Sequence, residues 1–141
     1  MPLLNYTTKV PVVKSVQEIQ KALVKAGASS IMQDYDDKGE MVAVSFRIIL
    51  NDNVINFRLP ADWKSTQQVL KQDGVRHEED HARRVAWRIT KDWVEAQMAL
   101  LATRSVTLPQ LFLPYAVDNK GITLYEKIAM NPELLLGDGN G

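Results

Sequence analysis

Met41-Val42-Ala43-Val44-Ser45-Phe46-Arg47-Ile48-Ile49-Leu50-Asn51-Asp52-Asn53-Val54-Ile55-Asn56-Phe57-Arg58-Leu59-Pro60 is the stretch whose reading decides the fold. Side chains alternate between the two faces of a strand, so Val42, Val44, Phe46, Ile48 and Leu50 share one face. Ile55, Phe57 and Leu59 continue that face after a turn at Asn51-Asp52-Asn53, residues that tolerate positive φ. With Asp52-Asn53 as the two-residue loop, Phe46 pairs with Leu59, Ile48 with Phe57, and Arg47 falls beside Arg58 on the opposite face. The pattern predicts strands over 41–50 and 54–59, and Pro60 ends the sheet.

A further strand is predicted over 30–35, joined to 41–50 by Asp36-Asp37-Lys38-Gly39. Upstream, Thr7–Val13 is rich in Thr and Val with Pro11 inside it, and reads as a short strand at a sheet edge. Ser15 with Glu18 forms a capping-box pattern, after which Val16, Ile19, Leu23 and Ala26 mark one face of a helix over 15–27 ended by Gly27. Lys9, Lys14, Lys21 and Lys25 make residues 1–33 basic.

Downstream, Asp62 is placed to cap a helix over 63–72 carrying Trp63, Val69 and Leu70, closed at Gly74. The dominant element is a helix over 78–102, about 37 Å long at 1.5 Å per residue. Glu78, Glu79 and Asp80 complement its dipole in the first turn, and Val85, Ile89, Trp93, Ala96 and Leu100 form its apolar stripe. Leu108–Tyr115 is too marked by Pro109 and Pro114 for a long helix. Its Leu111, Phe112, Leu113 and Tyr115 are expected to close the core under the long helix. A last helix is predicted over 123–130. The expected organisation is one α+β domain over 1–136, a three- or four-stranded antiparallel sheet covered on one face by the N-terminal and long helices, with a flexible tail at 137–141.

The 141 residues include 17 Lys plus Arg and 17 Asp plus Glu, a formal net charge of zero, so no overall field draws the protein to a polyanion. No cysteine is present, which excludes disulfides, thiolate metal sites and cysteine nucleophiles. No apolar run reaches the roughly 20 residues of a membrane span, and the N-terminus lacks a signal-peptide pattern, so a cytoplasmic protein is expected. The 7 glycines are scattered outside any phosphate-binding loop pattern, and no serine sits on a nucleophile elbow. No cofactor is expected. The acids Asp34, Asp36, Asp37 and Glu40 read as turn formers rather than as a calcium loop.

Three features carry functional expectations. Arg83, Arg84, Arg88 and Lys91 surround Trp87, and a cationic line beside an indole suits single-stranded nucleic acid: cations hold phosphates and the ring accepts a stacked base. The competing expectation is a buried Trp87 with cations paired to Glu79, Asp80, Asp92 and Glu95. Arg47 and Arg58 on the outward sheet face, with Met32, Ala43, Ser45 and Asn56, extend the cationic track if that face lies on the same side, and Asp34 is placed to neutralise them. His77-Glu78-Glu79-Asp80-His81 matches the H-E-x-x-H zinc-hydrolase pattern, in which His77 and His81 would bind the metal and Glu78 activate water. Its alternative is an acid-rich helix start.

Arg84-Val85-Ala86-Trp87-Arg88-Ile89-Thr90-Lys91-Asp92-Trp93-Val94-Glu95-Ala96-Gln97, with Phe112-Leu113-Pro114-Tyr115 and Gly121-Ile122-Thr123-Leu124-Tyr125-Glu126, resembles small uncharacterised proteins encoded by bacteriophages and prophages. The resemblance extends back through Lys9-Val10-Pro11-Val12 and Phe57-Arg58-Leu59-Pro60. It implies no assigned activity, only a phage setting, in which proteins of this size are often accessories of DNA metabolism or inhibitors of host systems. The order helix, three strands, long helix is also similar to the core of single-strand annealing proteins. The leading expectation is therefore a non-enzymatic single-stranded DNA binder of phage DNA metabolism in the bacterial cytoplasm. The alternative is a protein-interaction module, a homo-oligomer or an inhibitor of a host enzyme, anchored by Trp63, Trp87, Phe112 or Tyr115.

Overall fold

The computed structural model describes residues 1–136, so the tail expected at 137–141 lies outside the described residues. The fold is α+β. Strands β1 (Ser30–Tyr35), β2 (Met41–Leu50), β3 (Asn53–Pro60) and β4 (Ala116–Val117) form an antiparallel sheet in the order β1-β2-β3-β4. Helices α1 (Val12–Lys25) and α3 (Glu79–Ala102) pack on one face of it, α2 (Trp63–Gln72) packs on α3, and α4 (Leu108–Phe112) and α5 (Leu124–Met130) follow.

The β2–β3 turn corrects the expected register. Asn51 and Asp52, both left-handed at φ 50° and 65°, form the two-residue loop, and Leu50 pairs with Asn53. This slides β3 by two residues, so Phe46 opposes Phe57, Ile48 opposes Ile55, Arg47 opposes Asn56, and Arg58 opposes Ser45. A two-residue slide preserves the faces because the side-chain period is two. The core face therefore stands as expected, while the two arginines are diagonal rather than side by side. Leu50 is 40% exposed, since the end of the hairpin extends beyond the helices, where Ile49 and Val54 are also exposed.

Thr7–Val13 is not a strand. Pro11, with φ −60°, serves as the N-cap of α1, and Val12 continues the i, i+4 pattern of Val16, Ile19 and Leu23 onto the core. Residues before it lie against α2 and α3: the Leu3 amide donates to Asp73 (3.0 Å), and Asn5 Nδ2 donates to Asp92 (2.8 Å). Ser15 and Glu18 consequently sit inside the helix, where they make no cap.

In the core, Phe46 stacks on Phe57 at 5.0 Å between ring centroids, Phe112 meets Phe46 edge-on at 5.2 Å, and Trp93 meets Phe112 at 5.3 Å. Phe112 thus closes the core, whereas Leu113 beside it is half exposed. Offset and edge-on pairs of this kind add about 0.5–1.5 kcal/mol each beyond their buried area. The buried face of α3 is broader than the expected stripe in its first half, taking in His81, Ala82, Arg83, Val85, Ala86 and Trp87, and narrows to Val94 in its second, where Ala96 and Leu100 are exposed. Neither α3 nor any other helix among the described residues is long and apolar enough to cross a membrane.

Candidate functional site

The cationic segment of α3 lies between α1, α2 and the β1–β2 turn, and its side chains are engaged there. Trp87 is 1% exposed and its indole N–H donates to the Met41 carbonyl (3.3 Å), so no face is open to a base. Arg88 Nη2 donates to Glu18 of α1, and its Nη1 donates to Ser15 Oγ (3.3 Å). Lys91 Nζ meets Glu95 at 2.7 Å, Asp92 at 3.6 Å and Glu18 at 3.8 Å. The Glu95 hydrogen bond, foremost, holds the Lys91 pKa above that of a free lysine. The pair that reads as a cap in the sequence is the carboxylate and hydroxyl that tie α1 to α3.

Arg83 is buried more deeply still, with 4% of its side chain exposed. Its Nη2 donates to Asp36 (3.2 Å), its Nε lies 3.7 Å from Glu79, and its guanidinium covers the Trp63 ring at 4.5 Å. Nε and Nη1 have no hydrogen-bond acceptor among the described residues. The Trp63 ring face compensates part of that loss through cation–π attraction. Asp36 meanwhile accepts the amides of Glu40 and Lys38, and the Glu40 bond leads in keeping its pKa low. Arg83 therefore pins the β1–β2 turn to α3. Arg84 alone of the four has no carboxylate within ion-pair distance among the described residues; its Nη2 donates to His81 Nδ1 (3.4 Å).

His77-Glu78-Glu79-Asp80-His81 does not form the helical metal pair. Glu78 is the N-cap of α3, so His77 precedes the helix and lies exposed, with Nδ1 donating to the Val75 carbonyl (2.9 Å). His81 is buried; its Nε2 donates to the Tyr6 carbonyl (2.6 Å), and Nδ1 accepts from Arg84. Both ring nitrogens of His81 are taken. Among the described residues no group of three or more His, Asp or Glu is placed to hold a metal ion.

The sheet's other face is different. Pairing puts Ser30, Arg47, Asn56 and Val117 in one row, Met32, Ser45 and Arg58 in the next, and Asp34, Ala43 and Pro60 in a third. Ala43 is fully buried, but Ser30, Met32, Arg47 and Asn56 are exposed, Met32 at 62%. Arg58 Nε reaches across β2 to Asp34 Oδ2 (3.3 Å), which also accepts from Ser45 Oγ (2.7 Å). Arg47 Nε donates to the neutral Asn56 Oδ1 (3.1 Å) and has no carboxylate partner among the described residues. The first two rows floor a trough of about 550 Å3, walled by Asp118 and Asn119 beyond β4. Asp118 accepts from Lys127 Nζ (2.9 Å) and from the Lys120 and Ile122 amides; these bonds, the Lys127 one first, lower its pKa to about 2. Arg58 also lines a second hollow beside the exposed Tyr125, whose part in this surface the sequence reading missed.

The α3 cations and the Arg47 and Arg58 face consequently belong to opposite sides of the sheet and do not form one track. Of the aromatic anchors expected for a protein partner, Trp87 and Phe112 are sealed in the core, while Trp63 and Tyr115 are half-buried. No family model, curated protein or solved structure matches the chain.

Proposed function

We propose that the protein is a non-enzymatic protein-interaction module that docks through the outward face of its sheet. The observation that carries this reading is an open stretch of the outward sheet face: Met32, Arg47 and Asn56 are exposed there, opposite a face that buries Phe46 and Phe57. An exposed methionine among a few hydrogen-bonding side chains is the mixture found where two proteins meet, with apolar contact for affinity and polar groups for register. The zero net charge is consistent with a partner that is not a polyanion. A photo-crosslinking residue at position 32 is expected to trap a discrete protein adduct in the cells that make the protein, and the same residue at the exposed Lys71 of α2 is not. Equal labelling at both positions overturns the reading.

Single-stranded nucleic acid is a second reading, supported by the carboxylate-free Arg47 and by the run of Arg47, Arg58 and Tyr125 along the trough and its neighbouring hollow. The two guanidinium groups would hold phosphates and Tyr125 would stack. Its mark is an oligonucleotide affinity that falls steeply with salt and is lost in Arg47→Ala. No binding at low salt removes it.

A further inference from the structure

The strand that ends the sheet carries the group its neighbour lacks. β1 is the longer of the two terminal strands, the other being the two-residue β4, and it packs extensively on β2 alone. Ser30-Ile31-Met32-Gln33-Asp34-Tyr35 contains neither the lysine nor the proline by which open edges are commonly blunted, and its one irregularity is confined to Asp34 and Tyr35. Asp34 spends Oδ2 on Ser45 and Arg58, and Oδ1 has no partner among the described residues. One strand inward, Arg47 holds Asn56 through Nε, and its Nη groups have no carboxylate among the described residues.

We propose that β1 pairs antiparallel with β1 of a second copy of this chain, about a two-fold axis at Met32, making one eight-stranded sheet. The inference rests on the docking reading above and narrows it to the β1 margin of the outward face, where Met32 and Arg47 would meet a second copy. A two-fold axis perpendicular to the sheet keeps outward residues outward. Met32 then opposes Met32 of the other copy, and Ser30 opposes its Asp34. Because Ser30 pairs with Arg47 within the chain, each Arg47 lies in one row with the other copy's Asp34, separated by a single serine.

The span is two strand spacings, about 9.6 Å. The chain already makes a bridge of at least that length: Arg58 of β3, whose row is Ser45 and Met32, reaches diagonally across β2 to Asp34 in the neighbouring row of β1. The contact between copies occurs twice by symmetry and is the more direct of the two, since Arg47 crosses Ser30 along a single row where Arg58 has to reach into the next one. Charge complementarity thus selects a second copy over an arbitrary extended peptide, since each edge presents both the unpaired oxygen and the unpaired cation. Zero net charge leaves no general repulsion between copies. A six-residue edge is a small interface, so the dimer is expected to be weak and concentration-dependent.

The chain has no cysteine, which makes a single introduced thiol a clean reporter. Residues facing one another across paired strands hold their Cβ atoms about 4.5–5.5 Å apart, close enough for a disulfide after small adjustment. Met32→Cys in the full-length protein is expected to give a covalent dimer under mild oxidation at least tenfold faster than Lys64→Cys on α2. Sedimentation equilibrium is expected to show a reversible monomer–dimer system whose dissociation constant rises at least tenfold in Arg47→Glu, with the melting temperature unchanged because Arg47 is exposed. A monomer at every concentration up to the millimolar range overturns the proposal, as does Met32→Cys oxidising no faster than the control. If either occurs while crosslinking at position 32 still traps a different protein, the docking reading stands and only the second copy is wrong. If crosslinking at 32 also fails to exceed that at Lys71, both are wrong.

Discussion

Two arginine-bearing regions, the middle of α3 and the outward face of β2 and β3, look alike in sequence and end in opposite circumstances. On α3 several converging elements contribute counter-charge: Glu18 from α1, Asp36 from the β1–β2 turn, Glu79 and Glu95 from the helix itself. On the sheet, among the described residues, only Asp34 answers, and it answers Arg58 and not Arg47. A cation placed between packed helices has lost its water and must be met by acid, whereas one on an open strand keeps its hydration and need not be. The density of positive charge in a sequence therefore says little about its availability. What decides availability is how many elements converge on it.

Trp87→Ala tests the sealed region most severely. It empties a fully buried indole and leaves the Met41 carbonyl without its donor, and is expected to cost about 3–5 kcal/mol in urea-induced unfolding. An effect below about 1 kcal/mol would mean that the indole is not in the core. Glu18→Gln comes next. It removes the carboxylate shared by the mostly buried Arg88 and Lys91, with an expected loss of about 1–3 kcal/mol. The matched change on the sheet, Asp34→Asn, breaks a pair whose arginine side chain is 40% exposed, and its cost is expected below about 1 kcal/mol. Equal costs for the two would erase the distinction between the regions.

That distinction was only half legible in the sequence. Strand alternation located β1 to β3 and their core face, and Asp62, Gly74 and Thr123 marked the ends of α2 and α5, because those signals are local. The Lys91–Glu95 pair was legible for the same reason, being one helical turn apart. Glu18 and Arg88 are 70 residues apart, and nothing local distinguishes an acid that caps its own helix from one that holds another. The start of α1 reads as a strand because Thr and Val favour strands, while Val12 packs into the core through helical spacing that only the completed fold rewards. The hairpin slid by two residues because three consecutive Asn and Asp all tolerate the turn conformation, and the pairing of Phe46 with Phe57 settles what the loop leaves open.

Asp118 extends the comparison to the wall of the trough, with a smaller effect and a definite sign. Its folded pKa of about 2 lies below the 3.8 of a free carboxyl, so the unfolded chain takes up the proton first as pH falls. The stability it contributes is complete above about pH 4 and is lost progressively towards pH 2. Urea midpoints of the parent protein and Asp118→Asn are expected to differ at pH 6 and to converge near pH 2. A difference that persists at pH 2 would place the contribution in the turn geometry and not in the charge.

Arg47→Ala is expected to change folding stability least, by no more than about 0.5 kcal/mol, since an exposed guanidinium bonded to a neutral amide offers the monomer little. Arg84 provides the matched control from α3. It too lacks a carboxylate among the described residues, but it is half-buried and supports His81, whose other nitrogen holds the N-terminal segment at Tyr6. Truncating it leaves a buried imidazole acceptor without its donor, so Arg84→Ala is expected to cost more than Arg47→Ala. If the order is reversed, the free arginine of the sheet is part of the folded framework and the outward face loses its claim to be a docking surface. If the order holds, Arg47 is a charge the monomer does not need, and its use has to be sought in what the sheet meets.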